Sequence, residues 1–142
     1  MYPGLDTPKL SLNGLNTKAR LVDIVDGDTV YLVIPFENKF YKWNTRLSGL
    51  DTCEKNSKVN ANKELGYAAT HFVTQFFTGK TNLTRKEIQK ELNDNVVIVD
   101  VCCGAFDKYG RLLATIFYND LSLSKELLDH KLAYEYHGGT KR

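Results

Sequence analysis

The chain has 142 residues, 42% of them hydrophobic and 25% charged, a length and balance at which one domain can bury a sizeable core. Its net charge of +2 permits a polyanionic partner without demanding one, and three cysteines with no Cys-x-x-Cys spacing argue against a disulfide framework and against the usual zinc sites. The opening MYPGLDTPKLSLNGLN has no long apolar run and no stretch reaches membrane-spanning length, so the expectation is a soluble monomer of a reducing, cytoplasmic or intracellular compartment with no membrane partner.

Residues 1–17, rich in Pro, Gly, Asn and Ser, read as a flexible arm before a single domain over 18–142. Two β-branched runs, 20–25 and 29–34, flank Asp26-Gly27-Asp28, whose Asp-Gly step is a hairpin signal. After a turn at 35–38, a third strand over 40–48 sets Tyr41, Trp43, Thr45 and Leu47 on one face and Lys42, Asn44, Arg46 and Ser48 on the other. A polar loop, 55–62, leads to a helix over 63–77 in which Leu65, Ala68, Ala69, Phe72, Val73, Phe76 and Phe77 recur at helical spacing before Gly79. The segment TRKEIQKEL from Thr84 predicts a short helix with Glu87 and Lys90 spaced to pair. NVVIVDVCC, 95–103, predicts a buried strand, 106–110 a turn and 111–118 its return; a last helix over 123–132 has Ser122 as N-cap and Leu123, Leu127, Leu128 and Leu132 inward. Five strands with helices between and after them suggest an α+β fold, mainly β: a five-stranded barrel of the OB type with about three flanking helices.

The segment RLSGLDTCE, residues 46–54, concentrates chemistry at the end of the third strand, and three readings compete: a thiol nucleophile at Cys53, a metal site, or an ordinary polar strand end. The thiol reading is weakest, because Glu54 beside Cys53 would raise its pKa and no histidine is near to act as base. Asp28, Asp51, Glu54 and the oxygens of Thr52 are hard donors suited to calcium, although Asp26 and Asp28 also make good turn residues and Asp51 a strand breaker. Arg46 and Arg111 could grip one phosphate while Glu54 polarises a water; equally, Arg111 could pair with Asp107 and Arg46 decorate a solvated face. Lys108, Tyr109, Tyr134 and Tyr136 could offer donors and stacking faces to a nucleotide, or simply pack.

Taken jointly, IVDGDTV at 24–30, RLSGLDTCE at 46–54, ELGYAAT at 64–70 and DKYGRLLA at 107–114 resemble the staphylococcal nuclease (thermonuclease-like) family in order and spacing, over about residues 20–136. The resemblance implies an OB-fold barrel and a calcium-dependent phosphodiesterase acting on DNA and RNA, with single strands preferred and 3′-phosphate products. It implies Arg46, Glu54 and Arg111 as catalytic residues, and Asp28, Asp51, Thr52 and Glu54 as the calcium surroundings. Lys108 and Tyr109 match phosphate contacts, and Tyr134 and Tyr136 the nucleotide-stacking pair. Three departures stand out: Cys53 replaces a usual proline, which loosens the turn or adds redox sensitivity; 80–94 is longer, as if an extra surface element were inserted; and YHGGTKR stops short of a final helix. That tail is similar to relatives encoded by large DNA viruses, which bears on origin only. The rival expectation is a catalytically weak or inactive OB-fold module that binds nucleic acid.

Overall fold

The computed structural model describes residues 2–52 and 60–135. Its strands are β1 (Asn16–Asp26), β2 (Thr29–Phe36), β3 (Lys39–Leu47), β4 (Leu50–Asp51), β5 (Val97–Phe106), β6 (Leu112–Tyr118), β7 (Leu121–Ser122) and β8 (Tyr134–Glu135). The helices are α1 (Asn60–Thr78), α2 (Arg85–Asp94) and α3 (Leu123–Asp129). The sheet runs β3-β2-β1-β5-β6-β7, and a parallel pairing of β3 with β6 closes the five long strands into a mixed barrel flanked by the three helices. No described helix is long and apolar enough to cross a membrane.

Strand alternation builds the barrel interior. Leu21, Ile24, Val30, Leu32, Ile34, Val99, Val101, Leu112, Ala114 and Ile116 are all buried, each on the inward side of its pleat. At the Phe36 end, Trp43 stacks on Phe106 at 5.9 Å and meets Phe36 edge-on at 6.4 Å, so rings close that end of the barrel. β1 begins at Asn16, two residues before the expected start of order, and the segment ahead is fastened: Leu12 is buried, and Gly14 N–H and Leu15 carbonyl bond Cys103 at 2.9 and 2.8 Å.

The helices differ in detail from their sequence patterns. On α1 the buried face is Gly66, Ala69, Thr70, Val73, Thr74 and Phe77, whereas Leu65 and Ala68, expected inward, are exposed. The reason is local: the Thr70 and Thr74 hydroxyls donate to the carbonyls four residues back, Gly66 and Thr70, at 2.9 and 2.8 Å, so threonine enters the core without an unmet donor. On α2, Glu87 closes a reciprocal capping box with Thr84, and Lys90 pairs with Asp94 instead of Glu87. Far from being only a surface element, α2 buries Ile88 and Leu92 and is clamped to β1, where Asp23 accepts from Arg85 and Gln89. α3 stops at Asp129, short of the expected Leu132; Lys131 adopts φ 58°, and the Lys131 and Leu132 N–H groups return to the Leu128 and Leu127 carbonyls.

Candidate active site

The site forms where β2 begins and β3 ends. Asp26 pairs with Thr29, leaving Gly27 and Asp28 as the hairpin loop. The expected Asp-Gly hairpin is present, but Gly27 is needed for room: a Cβ there would lie 2.7 Å from Ala69 Cβ and 3.2 Å from Thr52 Cγ2. The loop therefore sits directly on α1. The Leu47 N–H donates to the Asp28 carbonyl at 2.9 Å, which locks this loop to the end of β3.

Asp28 is buried and surrounded by donors. Its Oδ1 accepts from the Thr29 hydroxyl at 3.0 Å and its Oδ2 from the Thr52 N–H at 3.3 Å, while Arg46 Nη2 lies 3.8 Å from Oδ2. Arg46 also donates to Asp51, itself almost fully buried. Burial, and after it the neighbouring Asp51 carboxyl, push the Asp28 carboxyl above the usual carboxylate range, against the lowering effect of Thr52 N–H, Arg46 and the Thr29 hydroxyl. Two buried carboxylates side by side, with one guanidinium between them and water, form a strongly charged knot.

The barrel closure brings the second arginine to this place. Thr45, Arg46 and Leu47 pair in parallel with Leu112, Leu113 and Ala114. Thr45 and Leu112 are buried inward, so Arg46, Leu113 and, two residues before it, Arg111 share the opposite face on adjacent strands. Arg111 is fixed by the β5–β6 turn: Asp107 Oδ2 accepts from its Nε at 2.8 Å, and Oδ1 from its N–H and that of Tyr109, both at 2.9 Å. Burial of Asp107 is outweighed by these backbone donors and by the guanidinium, which hold its carboxyl below the ordinary value. The pairing of Arg111 with Asp107 read from sequence is real, and it orients the guanidinium while leaving its Nη groups outside that bond. Tyr109, 72% exposed, has Lys108 Nζ 5.2 Å and Arg111 Cζ 5.5 Å from its ring centroid. On the other side of the site, β4 pairs with β8 so that Asp51 stands opposite Tyr134.

Asp28, Asp51, Thr52, Arg46, Arg111 and Tyr134 are thus assembled around one end of the barrel, with Lys108 and Tyr109 on the turn that carries Arg111. Cys53, Glu54 and Tyr136 lie outside the described residues. Among the described residues no group of three or more His, Cys, Asp or Glu could hold a metal ion. The donors present, a crowded carboxylate pair beside the Thr52 backbone, are nevertheless hard oxygen donors that fit a divalent cation, because a cation offsets the cost of burying the Asp28 charge and of setting Asp51 beside it. The other thiols take no part: Cys102 is exposed on the outer wall, and burial, with Cys102 beside it, pushes the Cys103 thiol up. Sequence reading missed Thr29, which holds Asp28 from the adjacent position; a Thr directly after a loop carboxylate was the available signal.

Comparison with known proteins bears on the same residues. A family profile described as staphylococcal nuclease homologue matches residues 44–141, a span that includes Arg46, Asp51, Thr52 and Arg111 and leaves Asp28 outside. An uncharacterized protein of Methanocaldococcus jannaschii is 32% identical over 82% of this chain and 58% of its own length. The chain therefore spans little more than half of that curated relative.

Proposed function

The chain belongs to the family of staphylococcal nuclease homologues, and from that premise we propose that it is a calcium-dependent, sugar-nonspecific nuclease. It hydrolyses phosphodiester bonds of DNA and RNA as a monomer, prefers single strands and leaves 3′-phosphate ends. The observation that carries the reading is the parallel β3–β6 register, which sets Arg46 and Arg111 on one face beside the Asp28–Asp51 carboxylates.

Arg46 and Arg111 clamp the scissile phosphate, each offering planar N–H pairs to its oxygens, and their charge is most valuable as negative charge gathers on phosphorus in the transition state. Asp107 holds the Arg111 guanidinium in its orientation. Water adds to phosphorus as the bond to the 5′ oxygen breaks; the proton from water passes to Glu54 and the leaving oxygen takes one from solvent. Asp28, Asp51, Thr52 and Glu54 would hold calcium, which supplies Lewis-acid polarisation of the phosphate when bound. Lys108 and Tyr109 contact the substrate phosphates, and Tyr134 and Tyr136 offer their ring faces as the nucleotide-stacking pair.

Digestion of denatured DNA and of RNA, with calcium or with chelator, tests this. Calcium-dependent cleavage giving 3′-phosphate ends is expected; cleavage no greater than that of an Arg46→Ala variant overturns it.

A further inference from the structure

The face of the β2–β3 hairpin that carries Arg46 continues well beyond the site. Cross-strand partners on this face are Thr29 with Arg46, Tyr31 with Asn44, Val33 with Lys42 and Pro35 with Phe40. None of these eight side chains is a carboxylate, two are cations and two are aromatic. Lys42 Nζ lies 5.4 Å from the centroid of the Tyr31 ring, and Phe40 is 75% exposed at the far end. The Asn44 amide oxygen has no hydrogen-bond partner.

Beyond Phe40 the face ends in a depression of about 520 Å³, lined by Val33, Pro35, Phe40 and Ile98 together with Lys18 and Arg20. The Arg20 guanidinium donates to the carbonyls of Leu92 and Asn93 in the last turn of α2, with no carboxylate in that bonding. Same-face residues on a strand repeat at roughly 6.6 Å, so the path from Arg46 to Phe40 is about 20 Å long. A polymer that carries a negative charge and a flat ring at every repeat matches these eight β2–β3 side chains, which include cations and rings and no carboxylate; on the adjoining strands Asp23 stands opposite Tyr31 and Asp100 pairs with Lys18 at 2.9 Å.

We propose that this face is the track for the single strand flanking the scissile phosphate. Lys42 meets a backbone phosphate, Tyr31 and Phe40 stack bases, and the depression beside Phe40 takes the outermost base. The proposal rests on the nuclease reading only for its starting point, the phosphate held at Arg46.

The test is binding of a labelled single-stranded oligonucleotide of about a dozen nucleotides, followed by fluorescence anisotropy in chelator, and steady-state cleavage of the same strand in calcium. Wild type, Phe40→Ala, Phe40→Tyr and Lys42→Gln are compared; both positions are exposed, so the fold survives. Phe40→Ala is expected to weaken binding about tenfold and to raise KM by a similar factor, with Phe40→Tyr restoring both. Lys42→Gln is expected to weaken binding and to lower the slope of log K against log salt by about 0.7. For a dinucleotide substrate, which cannot reach Phe40, the losses shrink. Unchanged affinity and unchanged KM in both variants overturn the track while leaving the nuclease reading standing. Binding that depends on Phe40 and Lys42 without turnover by wild type upholds the track and removes the nuclease reading. A Phe40-dependent change in sedimentation with no effect on the oligonucleotide assigns the face to self-association and overturns the proposal.

Discussion

At the Asp28 end of β2 the chain buries charge, whereas at the Phe36 end it buries rings and leaves its charges in water. Asp28, Asp51 and Arg46 are packed against α1 through a loop with no space for even a methyl group at Gly27. At the other end, Phe36, Trp43 and Phe106 close the barrel, and Lys39, Phe40 and Lys42 stand exposed. On the proposed function, the contrast separates two tasks on one hairpin. A site that must act on a phosphate holds its charges rigid and partly desolvated at a cost in stability, while a surface that grips a flexible strand keeps its cations and rings mobile and wet.

Substitutions at the two ends should break this contrast to different degrees. The largest effect is expected from Arg46→Lys, which keeps the charge against Asp28 and Asp51 but loses the planar fork; kcat should fall about a hundredfold or more on single-stranded DNA, measured beside an unchanged far-UV spectrum. Next is Gly27→Ala, whose Cβ would collide with Ala69; a loss of about 1–3 kcal/mol by urea unfolding is expected, with activity falling as α1 and the loop separate. Third is Asp107, whose carboxyl is held below its ordinary value. Because the native pKa is the lower one, its contribution is complete above the ordinary carboxylate range and is lost as pH falls through the native value. Asp107→Ala should therefore cost about 1 kcal/mol at neutral pH and less in acid, which melting curves at several pH values would resolve. The smallest effect is expected at the far turn, where Glu37 and Asn38 adopt φ 51° and 66° without a glycine. Asn38→Gly should leave kcat unaltered and change stability by less than about 1 kcal/mol.

The two turns also mark what the sequence could and could not convey. The hairpin at Asp26–Asp28 was legible from its Asp-Gly step, but the purpose of the glycine was not, since it depends on Ala69, distant in sequence. The alternation on β3 correctly assigned Arg46 and Lys42 to one face, and the barrel follows from five such runs. What brings Arg111 beside Arg46 is the parallel β3–β6 closure, a non-local pairing with no local signature. The helix errors are of another kind: hydroxyls that bond their own helix let Thr70 and Thr74 take the inward face, and Lys131 entered a left-handed cap where a glycine would have announced it. The aromatic and cationic run from Tyr31 to Phe40 was spelled out in the chain, yet only the register joins it to the face that carries Arg46.

Steady-state kinetics on one single-stranded oligonucleotide of about a dozen nucleotides, with calcium present, test the division most directly when wild type, Arg46→Lys and Phe40→Ala are run side by side. The division predicts turnover by wild type, a collapse of kcat for Arg46→Lys, and for Phe40→Ala a raised KM with kcat retained. Absence of turnover by wild type, or equal losses of kcat in the two variants, would contradict it.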